Sequence, residues 1–230
     1  MITVNKTFTI SLRDQEKRRA LAQHEIKKLH TETDWFLADP DSASNSIKGC
    51  FASHVSVAKL ALQNKVESIM VFEDDVKILP YTKQQIDAIN QFINKKTKHF
   101  DLLYLGFILG KMWYCGKHSI VRAQGPGLHA YILSPTGIQK MANYHYNNQP
   151  IDEVVKNSMK CYSVYPIIAE QQSEAIIGSA ISPVRNHIKR HHVKDEQFWK
   201  HNFDKQKRRL WGNIHLSIWE FIRRPLTFLV

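Results

Sequence analysis

Apolar positions fall into short blocks along this chain, and their spacing switches repeatedly between two periods. Val4, Phe8, Ile10 and Leu12 predict a first strand over Val4 to Leu12. Arg13 to His30 follows as a helix, with Leu21, Ile26 and Leu29 forming a partial stripe among basic residues. Trp35 to Ala38 reads as a short strand closed by the turn residues Asp39-Pro40-Asp41-Ser42. Ile47 to Gln63 places Phe51, Val55, Ala58 and Leu62 on one helical face, and Ile69 to Phe72 reads as a buried strand. Ile86, Ile89, Phe92 and Ile93 mark another helix. Asp101 to Leu105 predicts a strand, with a further one within Phe107 to Tyr114. Ala130 to Leu133 is a strand entered from Gly125-Pro126-Gly127. Ser134 then caps, and Pro135 opens, a helix running to Tyr144. Ile151 to Met159 reads as helix and Tyr162 to Ile168 as strand. Strands that alternate with helices predict an α/β fold, a mostly parallel sheet with helices on both faces. In such sheets sites lie beyond the carboxyl ends of the strands.

At one such end, Val71-Phe72 runs directly into Glu73-Asp74-Asp75. Three adjacent carboxylates repel, and burying them without compensation costs several kcal/mol, roughly. A divalent cation carrying a diphosphate is the natural compensation, because hard oxygen ligands suit Mg²⁺ or Mn²⁺. An acidic turn on a solvated loop is the plain alternative.

Charge changes the picture mainly at the end of the chain. There are 32 Lys and Arg against 21 Asp and Glu, a net +11. From Arg185 onward eleven basic residues face four acidic ones, so 11 − 4 = +7 of that excess sits there. The division expected is a domain over 1–181 and a basic, aromatic-rich helical tail over 182–230. Lys189 to His192, Lys205 to Arg209 and Arg223-Arg224 interleave with Trp199, Trp211, Trp219 and Phe221. Trp211, Ile214, Ile218 and Ile222 recur at helical spacing, as in a helix lying on an anionic membrane surface. The same pattern suits a helix packed on the domain or on a second subunit. Nucleic-acid binding ranks last, because no RNP, zinc-finger or helix-turn-helix pattern is present.

The odd count of three cysteines, Cys50, Cys115 and Cys161, without CxxC spacing argues against a disulfide framework or a cysteine zinc site. Reduced buried thiols fit a cytosolic face. The N-terminal stretch has no basic segment followed by an apolar one, so no signal peptide is expected. No apolar run reaches membrane-spanning length.

Six blocks in order carry a resemblance to glycosyltransferase family 25, which includes lipooligosaccharide sugar transferases and collagen galactosyltransferases. They are Ile10-Ser11-Leu12-Arg13 with Arg18, Gly49-Cys50-Phe51-Ala52-Ser53-His54, Glu73-Asp74-Asp75, Leu103-Tyr104-Leu105-Gly106, Gly127 to Ser134 with Ala130-Tyr131, and Pro150-Ile151-Asp152. The family usually carries Asn where this chain has Ser11. The resemblance spans about residues 4 to 170. It implies a GT-A-like, Rossmann-type fold and a UDP-linked sugar donor. Transfer would invert the anomeric carbon, moving a hexose (galactose or glucose) to a lipooligosaccharide or lipopolysaccharide acceptor.

On that footing Asp75 is the expected ligand of Mn²⁺ or Mg²⁺ and Glu73 a second. Asp74 would contact the sugar or orient its neighbours. Asp152 is the expected general base, with Glu153 as fallback, since inversion needs a group to take the acceptor's proton. An Asp there is equally an ordinary helix-start residue. Ser11, Arg13, Arg18, Ser53 and His54 are candidates for donor binding. His129 is a candidate with a structural role favoured, and His187 is a candidate ligand from a later loop. Lys17 and Arg19 read as a solvated basic face. A membrane-linked acceptor implies a cytoplasmic protein at the inner face of the cytoplasmic membrane. Two readings stay open beside this: a nucleotidyl- or phosphotransferase using the same acidic strand end, and a non-catalytic membrane- or nucleic-acid-binding module.

Overall fold

The computed structural model describes residues 1–39, 46–94, 100–108, 110–173 and 196–222. Its elements are β1 (Lys6–Leu12), α1 (Glu16–Lys27), β2 (Asp34–Ala38), α2 (Ser46–Gln63), β3 (Ile69–Glu73), β4 (Val76–Ile78), α3 (Lys83–Ile93), β5 (Leu102–Gly106), β6 (Lys111–Lys117), β7 (Ile120–Gln124), β8 (Ala130–Leu133), α4 (Pro135–Ala142), α5 (Ile151–Ser158), β9 (Cys161–Val164), β10 (Ala169–Gln171), α6 (Glu196–Gly212) and α7 (Ile214–Ile222).

Eight strands form one sheet in the order β2-β1-β3-β8-β5-β9-β7-β6. Following the pairings across it, β2, β1, β3, β5, β9 and β6 point one way, while β8 and β7 are reversed. Six of eight strands are thus co-directional, the mostly parallel α/β sheet expected. The reversed β8 sits at the centre, where it starts at the rim at which β3 and β5 end.

The central strands are apolar at every position because both faces are covered. Ile69, Val71, Leu102, Tyr104, Tyr131 and Leu133 point to one side, into a core shared with Phe51, Val55 and Ala58 of α2, Ile138 and Met141 of α4, and Val155 of α5. Met70, Phe72, Leu103, Leu105, Ala130 and Ile132 point to the other, against Ala22 and Ile26 of α1 and Ile86, Ile89 and Phe92 of α3. Local chemistry sets the helix starts. Thr82 and Gln85 form a reciprocal capping box on α3. Ser134 accepts the Gly137 N–H, and Pro135 opens α4, as the sequence predicts.

Three strands were not expected. β7 returns antiparallel from β6 as a hairpin. β4 and β10 pair antiparallel in a small second sheet, with Lys77 opposite Glu170 and Val76 opposite Gln171.

The described part of the tail packs on the domain. Trp199 and Leu210 of α6 join the first core, and Asn202 and Gln206 both donate to the Phe107 carbonyl. Further on, Arg209 donates to the Gly110 carbonyl, Asn213 to the Met112 carbonyl, and Ser217 accepts the Tyr114 N–H. α6 and α7 thereby run along the outer strand β6. The expected boundary at 181/182 and the cluster at Lys189 to His192 lie outside the described residues, as do Arg223 and Arg224.

Candidate active site

The acidic triplet sits at the carboxyl rim. β3 is held between β1 and β8, so its end is fixed: Glu73 N–H donates to the His129 carbonyl and Asp74 N–H to the Ile10 carbonyl. Asp74 is 6% exposed. It accepts from the Ser11 hydroxyl at 2.6 Å and from Arg18 Nε at 2.8 Å. A second Arg18 nitrogen lies 2.5 Å from Asp74 and 3.6 Å from Asp75. A protein cation therefore meets part of the charge that the sequence alone assigned to a metal. Burial pushes the Asp74 carboxyl above its ordinary value, against the downward pull of Arg18 and Ser11.

Asp75 is half-buried at the turn between β3 and β4. Gln171 donates to Asp75 Oδ2 at 2.9 Å, and the Gln172 N–H donates to its carbonyl at 2.6 Å. The small β4–β10 sheet thus aims Asp75. Gln171 and Gln172 escaped the sequence reading because a three-residue strand leaves almost no periodic signal.

Glu73 belongs to a second network. His54, on α2 and 1% exposed, lies with Nε2 3.2 Å from Glu73 Oε1 and Nδ1 2.8 Å from the Tyr131 hydroxyl. Tyr131 in turn donates to Met141 Sδ at 3.7 Å. Burial holds the Tyr131 hydroxyl far above its ordinary pKa, and the charges of Glu73, Cys50 and Asp152 add to this, so it stays neutral. Cys50, one turn before His54, completes a group whose ligand atoms with His54 and Glu73 all lie within 4.8 Å of one another. Among the described residues this is the group of His, Cys, Asp and Glu side chains able to hold a metal ion.

Asp152 stands in the first turn of α5 and accepts the Gly127 N–H at 3.2 Å. It is not the cap of its own helix; Pro150 occupies that position. It ties α5 to the loop feeding β8, where Gly127 adopts φ +103°, a conformation that favours glycine. Its charge acts on both Tyr131 and Tyr104, so it lies on the same side of the sheet as Glu73's network.

The other candidates divide. Ser11 and Arg18 are committed to Asp74. Arg13 pairs with Asp39 at an exposed position. Ser53 returns its hydroxyl to the Gly49 carbonyl of its own helix. His129 is fully buried with its ring 5.6 Å from that of Trp199. Glu153 pairs with Lys156 one turn on. His187 lies outside the described residues. Arg19 departs from the solvated face expected of it: its guanidinium donates to the Leu12 and Arg13 carbonyls and closes the end of β1.

Comparison with known proteins adds three findings. The profile of glycosyltransferase family 25 (LPS biosynthesis protein) matches residues 41–155. Procollagen galactosyltransferase 1 of Danio rerio is 23% identical over 145 residues, 52% of this chain and 24% of that protein. Procollagen galactosyltransferase 2 of Mus musculus is 34% identical over 58 residues, 25% of this chain and 9% of that one. The chain thus spans about a quarter or less of these relatives. Among solved structures, A197 from STIV aligns with TM-score 0.47 and 14% identity, covering 72% of this chain and 85% of its own. A glycosyltransferase involved in glycosylation of the major capsid of PBCV-1 aligns with TM-score 0.42 and 8% identity, covering 66% and 74%.

Proposed function

The chain belongs to glycosyltransferase family 25, and from that premise we propose that it moves a hexose, galactose or glucose, from a UDP-linked donor to a lipooligosaccharide or lipopolysaccharide acceptor, with inversion. The observation that carries this reading is the fixed acidic triplet at the carboxyl rim, where open α/β sheets bind ligands. Asp75 offers hard oxygen donors at a half-buried turn, which fits Mn²⁺ or Mg²⁺, with Glu73 as second ligand across the turn. Such a cation, when bound, would neutralise charge growing on the departing diphosphate. The rest falls to the chain's own groups. Arg18 keeps Asp74 and Asp75 in place against their mutual repulsion. Asp152 takes the proton of the acceptor hydroxyl as its oxygen bonds to the anomeric carbon and the bond to the diphosphate oxygen breaks.

The acceptor's lipid anchor has a matching surface. Trp211, Ile214, Ile218 and Trp219 are all more than half exposed on α6 and α7. Lys205, Lys207, Arg208 and Arg209 precede them. That combination suits an anionic inner-leaflet surface. No helix among the described residues is long and apolar enough to cross a membrane.

The test is a donor screen with Mn²⁺, with and without EDTA. Metal-dependent release of a nucleoside diphosphate from one nucleotide sugar is expected. Formation of a nucleoside triphosphate and a sugar 1-phosphate when pyrophosphate is added would instead identify a nucleotidyltransferase. No turnover and no thermal stabilisation by any UDP-sugar would count against both.

A further inference from the structure

We propose that Cys50, His54 and Glu73 form a binding site for a thiophilic divalent cation, Zn²⁺ in the first instance, separate in ligand chemistry from the all-oxygen site at Asp75. Three observations converge. Cys50 and His54 are one turn apart on α2, so both side chains leave the same face of the helix, opposite the end of β3. Their ligand atoms and a Glu73 oxygen lie within 4.8 Å of one another. The His54 Nε2 to Glu73 Oε1 separation, 3.2 Å, is close to the edge of a tetrahedral site with metal bonds of about 2.0–2.2 Å.

Tyr131 holds the imidazole from behind, its hydroxyl 2.8 Å from His54 Nδ1, and leaves Nε2 as the ring nitrogen that faces Glu73. The His54–Tyr131 bond is the outer contact that orients metal-binding imidazoles. The Cys50 sulfur decides between metals: thiolate favours Zn²⁺ or Co²⁺ over Mg²⁺ and Mn²⁺. Three protein ligands leave a fourth position open. A cation here would draw Glu73 to α2 and leave the oxygen site to Asp75.

This site shares Glu73 with the oxygen site that sugar transfer uses, but it alone uses Cys50 and it does not use Asp75, so the two can fail separately. Full-length protein, reduced and stripped with chelator, is titrated with Co²⁺. One equivalent should bind with a thiolate-to-cobalt charge-transfer absorption, and Zn²⁺ should abolish it. The absorption should vanish in Cys50→Ser and Cys50→Ala and survive in Cys115→Ser, whose sulfur is buried elsewhere. Glu73→Gln should weaken binding at least tenfold. Tyr131→Phe should weaken it about 10–100-fold through loss of His54's orientation. Asp75→Asn should leave it unchanged while lowering transfer about 10²–10³-fold. A wild-type protein with no charge-transfer band, or a band that persists in both Cys50 variants, overturns the proposal whatever the donor screen shows. Circular dichroism of each variant separates lost binding from lost fold.

Discussion

Asp74 and Asp101 are both buried carboxylates beside central strands, yet they sit at opposite rims of one sheet. Asp74 follows β3 at the carboxyl rim; Asp101 precedes β5 at the amino rim. Asp101 receives the Lys140 ammonium at 2.6 Å and the Lys160 N–H at 2.7 Å. Burial pushes its carboxyl up, but Lys140, the Lys160 N–H and Thr136 outweigh this and hold it below the ordinary value. At Asp74 the balance goes the other way, and burial outweighs Arg18 and Ser11. The amino-rim charge therefore stabilises the fold, whereas the carboxyl-rim charge is maintained at a cost. Perturbed carboxylates of the second kind cluster where chemistry is done.

The sharpest way to break this contrast is activity. Asp75→Asn should lower transfer by about 10²–10³-fold in a folded protein, while Asp101→Asn should leave the rate per folded molecule unchanged. Equal losses in the two variants would dissolve the distinction between the rims.

Stability comes next. Arg18→Met strands two carboxylates, one of them buried, and should cost about 3 kcal/mol by urea denaturation. Adding Asp74→Leu should recover much of that loss. A single variant as stable as the parent would mean that Arg18 does not compensate the triplet. Asp101→Asn should cost less, about 1–2 kcal/mol, because its partner Lys140 is 46% exposed and solvent screens the pair.

The smallest effect is the sign of the pH dependence. Asp101 has a depressed folded pKa, so its stabilisation is present above the unfolded value near 3.8 and is lost as pH falls through the folded one. Asp74 has a raised folded pKa, so its share is fullest below 3.8 and is lost as pH rises through the folded value. Relative to the parent, the deficit of Asp101→Asn should shrink on acidification. Asp74→Asn should become comparatively more stable as pH rises above 3.8. Parallel pH profiles for the two variants would refute the contrast.

Much of the scaffold was legible because burial on two faces writes itself into composition. Ile69-Met70-Val71-Phe72 has no polar position, and it is a central strand. Ser134 and Pro135 mark a helix start by local chemistry alone. The reversal of β8 was not legible, since strand direction is set by which neighbours it joins, not by its own residues. Nor was the partner of Asp74: Arg18 lies 56 positions away and reads, by itself, as one basic residue among several on a helix. Cys50 and His54 were visible as part of a family block. Their convergence on Glu73 needed α2 to be docked against the end of β3.

The lining of β6 by α6 and α7 has a consequence for handling this protein. An outer strand with open N–H and C=O groups is a template for joining another chain's strand. Here Arg209, Asn213 and Ser217 occupy the backbone groups of Gly110, Met112 and Tyr114. Deleting the tail to probe membrane attachment would uncover that edge and invite self-association into aggregates. Single replacements of Trp211 or Ile218, whose side chains face outward, would remove the apolar surface and leave the guard on the edge in place.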